Sequence, residues 1–208
     1  MSLTITEEDR PQRELIEAGN HRAVLYSQVD MGHLPNQFDD KQKEQHKVRL
    51  TFELADITRE FDGVQKPVVI STEKTLSLNE KSSLRAMLEG WRGQAFTSAE
   101  LKKFSLKNLL GKPALVNVVH KTSAAGRTYA TIASVSKLPK GMKAPKQFND
   151  SVYYEIEEGE GGVFSALPQW LQDKIRQSRE FRTGKVKTST PVAAAAANDE
   201  ADDNGVPF

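Results

Sequence analysis

The chain has 208 residues, of which 38% are hydrophobic and none is cysteine, so disulfides and thiolate metal sites are excluded. No apolar run reaches the roughly 18 residues that span a bilayer, and the acidic, polar start from Met1 to Arg13 is unlike a secretory signal. The net charge of +1 hides an asymmetry: residues 1–197 carry 29 basic and 24 acidic side chains, and the last eleven residues carry four acids and no base.

Residues 1–18 read as a flexible leader ahead of the turn signal Ala18-Gly19-Asn20. His21 to Asp30 is strand-like, with Ala23, Leu25 and Val29 on one face and Arg22, Tyr26 and Gln28 on the other. Met31 to Glu44 reads as loop. Val48 to Leu54 alternates cleanly: Val48, Leu50, Phe52 and Leu54 face a core, while Arg49, Thr51 and Glu53 face outward. A charged connection, Asp56 to Lys66, turns near Asp62-Gly63 and leads to a third strand from Pro67 to Leu76.

The period then changes. Leu84, Met87 and Leu88 predict a helix from about Asn79 to Glu89, with Ser77 and Glu80 as a capping box and Gly90 as its stop. Thr97 and Glu100 form a second box over a short helix. Ala114–Lys121 and Thr128–Val135 predict a hairpin turning at Ser123–Gly126. Around and beyond Pro139 the chain carries Lys137, Lys140, Lys143 and Lys146, then Tyr153-Tyr154, an acidic glycine-rich loop from Glu155 to Gly162, and a helix starting near Leu167-Pro168 with Trp170, Leu171 and Ile175 on one side. The order of three strands, a helix and two strands predicts a mainly β fold, a five-stranded Greek-key barrel of the OB type. An additional C-terminal helix and a disordered acidic tail follow. The expected organisation is a leader (1–18), a barrel domain (19–182) whose extension covers 140–182, and a linker with the acidic tail (183–208).

The residues do not assemble a catalytic set, and no cofactor is expected. His21, His33, His46 and His120 lack metal-ligand spacing, and no phosphate loop or nucleophile elbow is present. The triplets Asp39–Lys41 and Glu100–Lys102 sit in a loop and a first helical turn, not on the strand a nuclease metal site would use. Glu155, Glu157, Glu158 and Glu160 read as a solvated acidic loop. Binding a single strand asks only for cations along a groove and aromatic faces for bases. Arg22, Tyr26, Arg49, Arg59, Phe61, Lys121, Arg127 and Tyr129 fall on the strands and loops that line the groove of OB folds. Each has a plainer alternative. Tyr26 or Tyr129 would complete the core equally well, and Lys137–Lys146 would serve as a solvated stretch. Phe52 belongs to the core, and Trp91-Arg92 is expected to pack across the barrel base rather than to contact DNA. The helix of Trp170 is expected to pack on the barrel, a partner-binding face being the other reading.

The end of the chain, Asn198 to Phe208, places Asp199, Glu200, Asp202 and Asp203 before Val206, Pro207 and Phe208. So acidic a segment cannot offset its ordering entropy by burial. An aromatic beside a terminal carboxylate is nevertheless a hook that a basic pocket can hold, or else the end is a solubilising tail.

Three motifs give the chain a family likeness: Gly19-x-x-Arg22-Ala-Val-Leu-Tyr-x-x-Val-Asp30, the run Leu-Arg-x-Met-Leu-Glu-Gly-Trp-Arg-Gly93, and Leu109-Leu-Gly-Lys-Pro113. Through them Gly19 to Pro139, together with the tail, resembles phage-encoded single-stranded DNA-binding proteins with an OB fold. The acidic end with its terminal Pro-Phe is similar to that of bacterial single-stranded DNA-binding proteins. The resemblance implies a non-enzymatic protein of the bacterial host cytoplasm that coats single-stranded DNA in replication and recombination. It further implies recruitment of replication, recombination or repair proteins through Pro207 and Phe208. A homo-oligomer is compatible with the chain, and no membrane partner is implied. Residues 140–181 have no counterpart in a minimal barrel. The competing classes are a metal-dependent nuclease or resolvase-like enzyme, and an adaptor that uses the barrel for protein.

Overall fold

The computed structural model of the protein describes residues 14–35 and 43–186. The expected leader up to Arg13 and the acidic tail, including its hook, lie outside the described residues. Five strands form one curled antiparallel half-barrel in the order β3-β2-β1-β4-β5: β1 (Gly19–Pro35), β2 (Glu44–Phe61), β3 (Val64–Thr75), β4 (Pro113–Thr122) and β5 (Thr128–Ser136). A short β6 (Val152–Tyr154) runs parallel to β1 at Ser27–Val29. Between β3 and β4 come α1 (Ser83–Arg92) and α2 (Ser98–Lys103). The extension adds α3 (Gly162–Ala166), α4 (Gln169–Arg176) and α5 (Arg179–Arg182).

The core face of β2 is realised as expected, but its other face is covered as well, with Thr51 and Glu53 also buried. Leu50, Phe52 and Leu54 are completely buried and pack with Ala23, Leu25, Leu84, Leu88, Trp91, Leu109, Val116 and Val118 in the barrel core. Phe52 and Trp91 touch at 5.5 Å between ring centroids, and the Trp91 Nε1–H donates to the Pro113 carbonyl at 2.9 Å. That bond satisfies the one polar atom of the buried indole.

β1 departs from the expected pattern. Leu25 pairs with Phe52 but Ser27 pairs with Thr51, so Tyr26 is the extra residue of a β-bulge. The insertion reverses the alternation, as any one-residue slip must. Val29 therefore does not share the face of Ala23 and Leu25; it enters a second core with Met31, Leu34, Tyr154, Ile156, Phe164, Leu171 and Ile175. Nor does the strand stop at Asp30. It continues to Pro35 through a second bulge, where Met31 is the extra residue and the next one, Gly32, has a φ of +68° and tight surroundings that both require glycine. A Cβ there would lie 2.4 Å from Ile156 Cδ1 and 2.6 Å from Glu180 Oε2.

The first helix starts later than Asn79. Ser77 Oγ accepts from the Asn79 N–H, Asn79 Oδ1 accepts from the Lys81 N–H, and Ser82 Oγ donates to the Ser77 carbonyl. These side chains hold the backbone in turns before Ser82 caps the helix. Gly90 lies within α1 and does not stop it. Its missing Cβ lets the helix approach β5, since a Cβ would sit 3.1 Å from the Val135 carbonyl oxygen. The stop is Gly93, at φ 75°, whose N–H donates to the Glu89 carbonyl. The Thr97–Glu100 box forms as expected. So does the β4–β5 turn, where the Arg127 N–H donates to Ser123 Oγ. The charged connection from Asp56 to Lys66 proves to be a strand hairpin, paired as far as Phe61 and Val64 around Asp62 and Gly63.

Candidate nucleic-acid interface

Two hairpin tips stand at one end of the half-barrel. Residues 14–17 bridge them: Arg59 Nη2 donates to the Leu15 carbonyl (3.2 Å), His120 Nε2 contacts the Ile16 carbonyl (2.7 Å) and His21 Nε2 the Glu17 carbonyl (2.9 Å). At this end the β4–β5 tip presents Lys121 directly across from Tyr129, with Arg127 beside them. All three are exposed. The β2–β3 tip presents Phe61 opposite Val64, both about half exposed. Five of the eight candidate residues (Arg59, Phe61, Lys121, Arg127 and Tyr129) thus lie at this end, on or beside the two tips.

Arg22, Tyr26 and Arg49 lie apart from these, on the outer face of β1 and β2, and the extension engages that face. Arg22 grips Asp56 through Nη2 and Nε (2.6 and 2.8 Å), while its backbone N–H donates to the same carboxylate at 2.7 Å. Burial pushes the Asp56 carboxyl up, yet the Arg22 bonds hold it below its ordinary value. Arg49 pairs with Glu73 at 3.1 Å, and its guanidinium stacks 4.7 Å over the Trp170 ring. Glu73 also accepts from Lys174 Nζ at 2.7 Å, so α4 is tied to β3. Tyr26 is largely buried at its bulge, which raises its phenol pKa, with the charge of Glu53 adding to the effect.

The remaining piece of this face is a strap, residues 140–151, that crosses β1 and β2. Glu53 is almost wholly buried and anchors it: the carboxylate accepts from the Phe148 N–H (2.6 Å), the Asn149 N–H (2.9 Å) and the Asn149 side-chain amide (2.7 Å). Arg22 Nη1 reaches the Lys143 carbonyl at 3.4 Å. The strap's Lys140, Lys143 and Lys146, with Lys137 at its root, are exposed. None of the four forms an ion pair among the described residues.

Two aromatics stand exposed over this surface, Phe148 at 55% and Trp170 at 51%. From the sequence, Trp170 is noted only on a helix expected to pack on the barrel, and Phe148 is not singled out. The expectation that Trp170 shares a side with Leu171 and Ile175 is incorrect: those two are buried at i and i+4, and Trp170, a 100° turn away, faces Arg49. Its adjacency to a helix start after proline carried no sign of this. Phe148, lying in a basic segment with no strand or helix period, left no readable signal at all.

No family model matches the chain, and no curated protein matches it. Among the described residues no three histidine, aspartate or glutamate side chains converge as a metal would require. Glu155 is bonded by the Tyr153 hydroxyl, and Glu160 by Arg176 at 2.6 Å. Glu100 is consumed by the capping box and by Arg92, whose hydrogen bond holds its carboxyl at about 2. Asp39 and Lys41 lie outside the described residues. No helix among the described residues is long and apolar enough to cross a membrane.

Proposed function

We propose that the protein binds single-stranded DNA largely without sequence preference, as a non-enzymatic coating protein of phage replication and recombination, on a five-stranded Greek-key barrel of the OB type. The strand order β3-β2-β1-β4-β5, with α1 between β3 and β4, supports the barrel assignment. The observation that carries the function is the set of exposed cations and aromatics at the hairpin tips and on the strap. Lys121, Arg127 and Tyr129 sit at a hairpin tip, Phe61 at the neighbouring tip, and the strap lysines lie beyond. Cations that form no ion pair attract phosphates with little to give up, and exposed rings offer π-faces to any base. The acidic end, from Asp199 to Phe208, is the segment through which replication, recombination or repair proteins are recruited.

Fluorescence anisotropy with a labelled oligo(dT) and a duplex of equal length tests this reading. The single strand binds more tightly, and its affinity falls as salt rises because counterions are released. Charge reversal at Lys121 and Arg127 weakens binding and flattens the salt dependence. Equal affinity for both nucleic acids, or none, contradicts the proposal. Cleavage of labelled DNA in magnesium or manganese would point to the nuclease class instead. Deleting residues 198–208 abolishes capture of a host replication enzyme and leaves oligo(dT) bound.

A further inference from the structure

Phe148 and Trp170 reach the outer face of the sheet from different parts of the extension, yet both are fixed on one strand. The Phe148 backbone hangs from Glu53, and the Trp170 ring lies over Arg49. β2 keeps unbroken register with β3 from Lys47 to Leu54, so Arg49, Thr51 and Glu53 share a face. The two anchors are four residues apart on an extended strand, or about 13 Å. Between them the buried Thr51 and the partly exposed Ser71 join their hydroxyls at 3.1 Å, and Val69, paired with Glu53, is exposed.

Both anchors are built to hold. A buried carboxylate that accepts three hydrogen bonds fixes the strap at Phe148, and an arginine that is itself paired with Glu73 supports the indole from below. Each ring nevertheless leaves about half its surface in solvent, although burying either against the sheet would have removed apolar area from water. Rigid, half-exposed rings set on a polar floor beside exposed lysines suit a planar, polyanionic occupant better than an aliphatic one.

We propose that Phe148 and Trp170 are two base-stacking platforms supplied by the C-terminal extension. A single strand passes between them over the Ser71 edge of β3, its phosphates held by Lys143 and Lys146. At a rise of about 3.4 Å the gap accommodates a few stacked bases. This rests on the single-strand reading above and assigns that activity to the extension as much as to the barrel.

The test uses the full chain, with oligo(dT) as probe. Phe148→Ala and Trp170→Ala each weaken binding by about 5- to 150-fold, the range expected for loss of one base–aromatic stack. Trp170→Phe, which keeps a stacking face, retains most of the affinity. Oligo(dT) also quenches the tryptophan fluorescence of the native chain, and Trp170→Phe abolishes the quench because the remaining Trp91 is buried. Thermal melts of the variants match the native protein, since both rings are half exposed. If the native chain binds oligo(dT) but the alanine variants bind equally well, the platforms are overturned and the single-strand reading stands. If the native chain does not bind oligo(dT), the single-strand reading fails and the platforms with it.

Discussion

The two sides of β1 tell different stories. On one side lies the barrel core, closed by α1 and drawn from every strand of the half-barrel. On the other lies a smaller core, made by Val29, Met31 and Leu34 of β1 and otherwise by the extension. A single strand serves both because a bulge at Tyr26 turns its alternation over midway. The barrel core would survive without the extension, whereas the extension has no core without β1. It follows that the extension is a dependent unit: it can open while the barrel stays folded, and it carries Phe148 and Trp170 with it.

Substitutions on the two sides should separate the units. Phe52→Ala, in the barrel core, is expected to cost about 3–5 kcal/mol and to lower the midpoint of global unfolding in urea. Ile175→Ala, in the second core, should cost about 2–5 kcal/mol locally. Its signature is proteolytic cutting within residues 140–186 under conditions where the barrel fragment resists. If Ile175→Ala instead moves the global midpoint as much as Phe52→Ala does, the two cores form one cooperative unit.

The strap offers a narrower break. Glu53→Gln exchanges a carboxylate that accepts two backbone N–H bonds for an amide that can accept only one of them well, at a cost of about 1–3 kcal/mol. Hydrogen exchange at the Phe148 and Asn149 amides should accelerate while exchange at Leu50 and Phe52 does not.

The smallest effect is a titration. Burial pushes the Glu180 carboxyl up, but the His33 N–H (2.9 Å) and ring (2.6 Å) bonded to it hold it at about 2 against an ordinary 4.5. A depressed carboxyl pKa contributes stability that is fully present above 4.5 and is lost as pH falls toward 2. Acid should therefore loosen α5 from β1 in that window, read by Trp170 fluorescence, and Glu180→Gln should remove that part of the transition. His46 has the opposite sign. Its bond to Asp30 raises the imidazole pKa, so its contribution is complete below about 6.5 and fades as pH climbs through the raised value.

How much of this was legible in the sequence follows from the range of each interaction. The alternation of Val48–Leu54, the Thr97–Glu100 box and the Ser123–Gly126 turn are local devices, and each can be read from a few consecutive residues. The bulge at Tyr26 was not legible, because nothing in the composition of β1 marks which residue is extra. Gly90 looked like a helix stop, since a glycine needed for close packing against Val135 is spelled the same way as one needed for a left-handed turn. Of the candidate residues, those on hairpin tips stand where turn chemistry placed them. Arg22 and Arg49 have partners, Asp56 and Trp170, that the strand pattern could not supply. The strap's seat on Glu53 joins residues 95 and 96 positions apart, far beyond any periodicity.

The central claim is that a single strand runs from the hairpin tips across the strap to α4. Titrating the isotope-labelled chain with oligo(dT) and following its amide and indole resonances tests this most directly. The account predicts shifts at Lys121, Arg127 and Tyr129, along residues 143–149, and at the Trp170 indole N–H, while the buried Trp91 indole stays in place. Shifts confined to other surfaces, with the strap and Trp170 undisturbed, would contradict it.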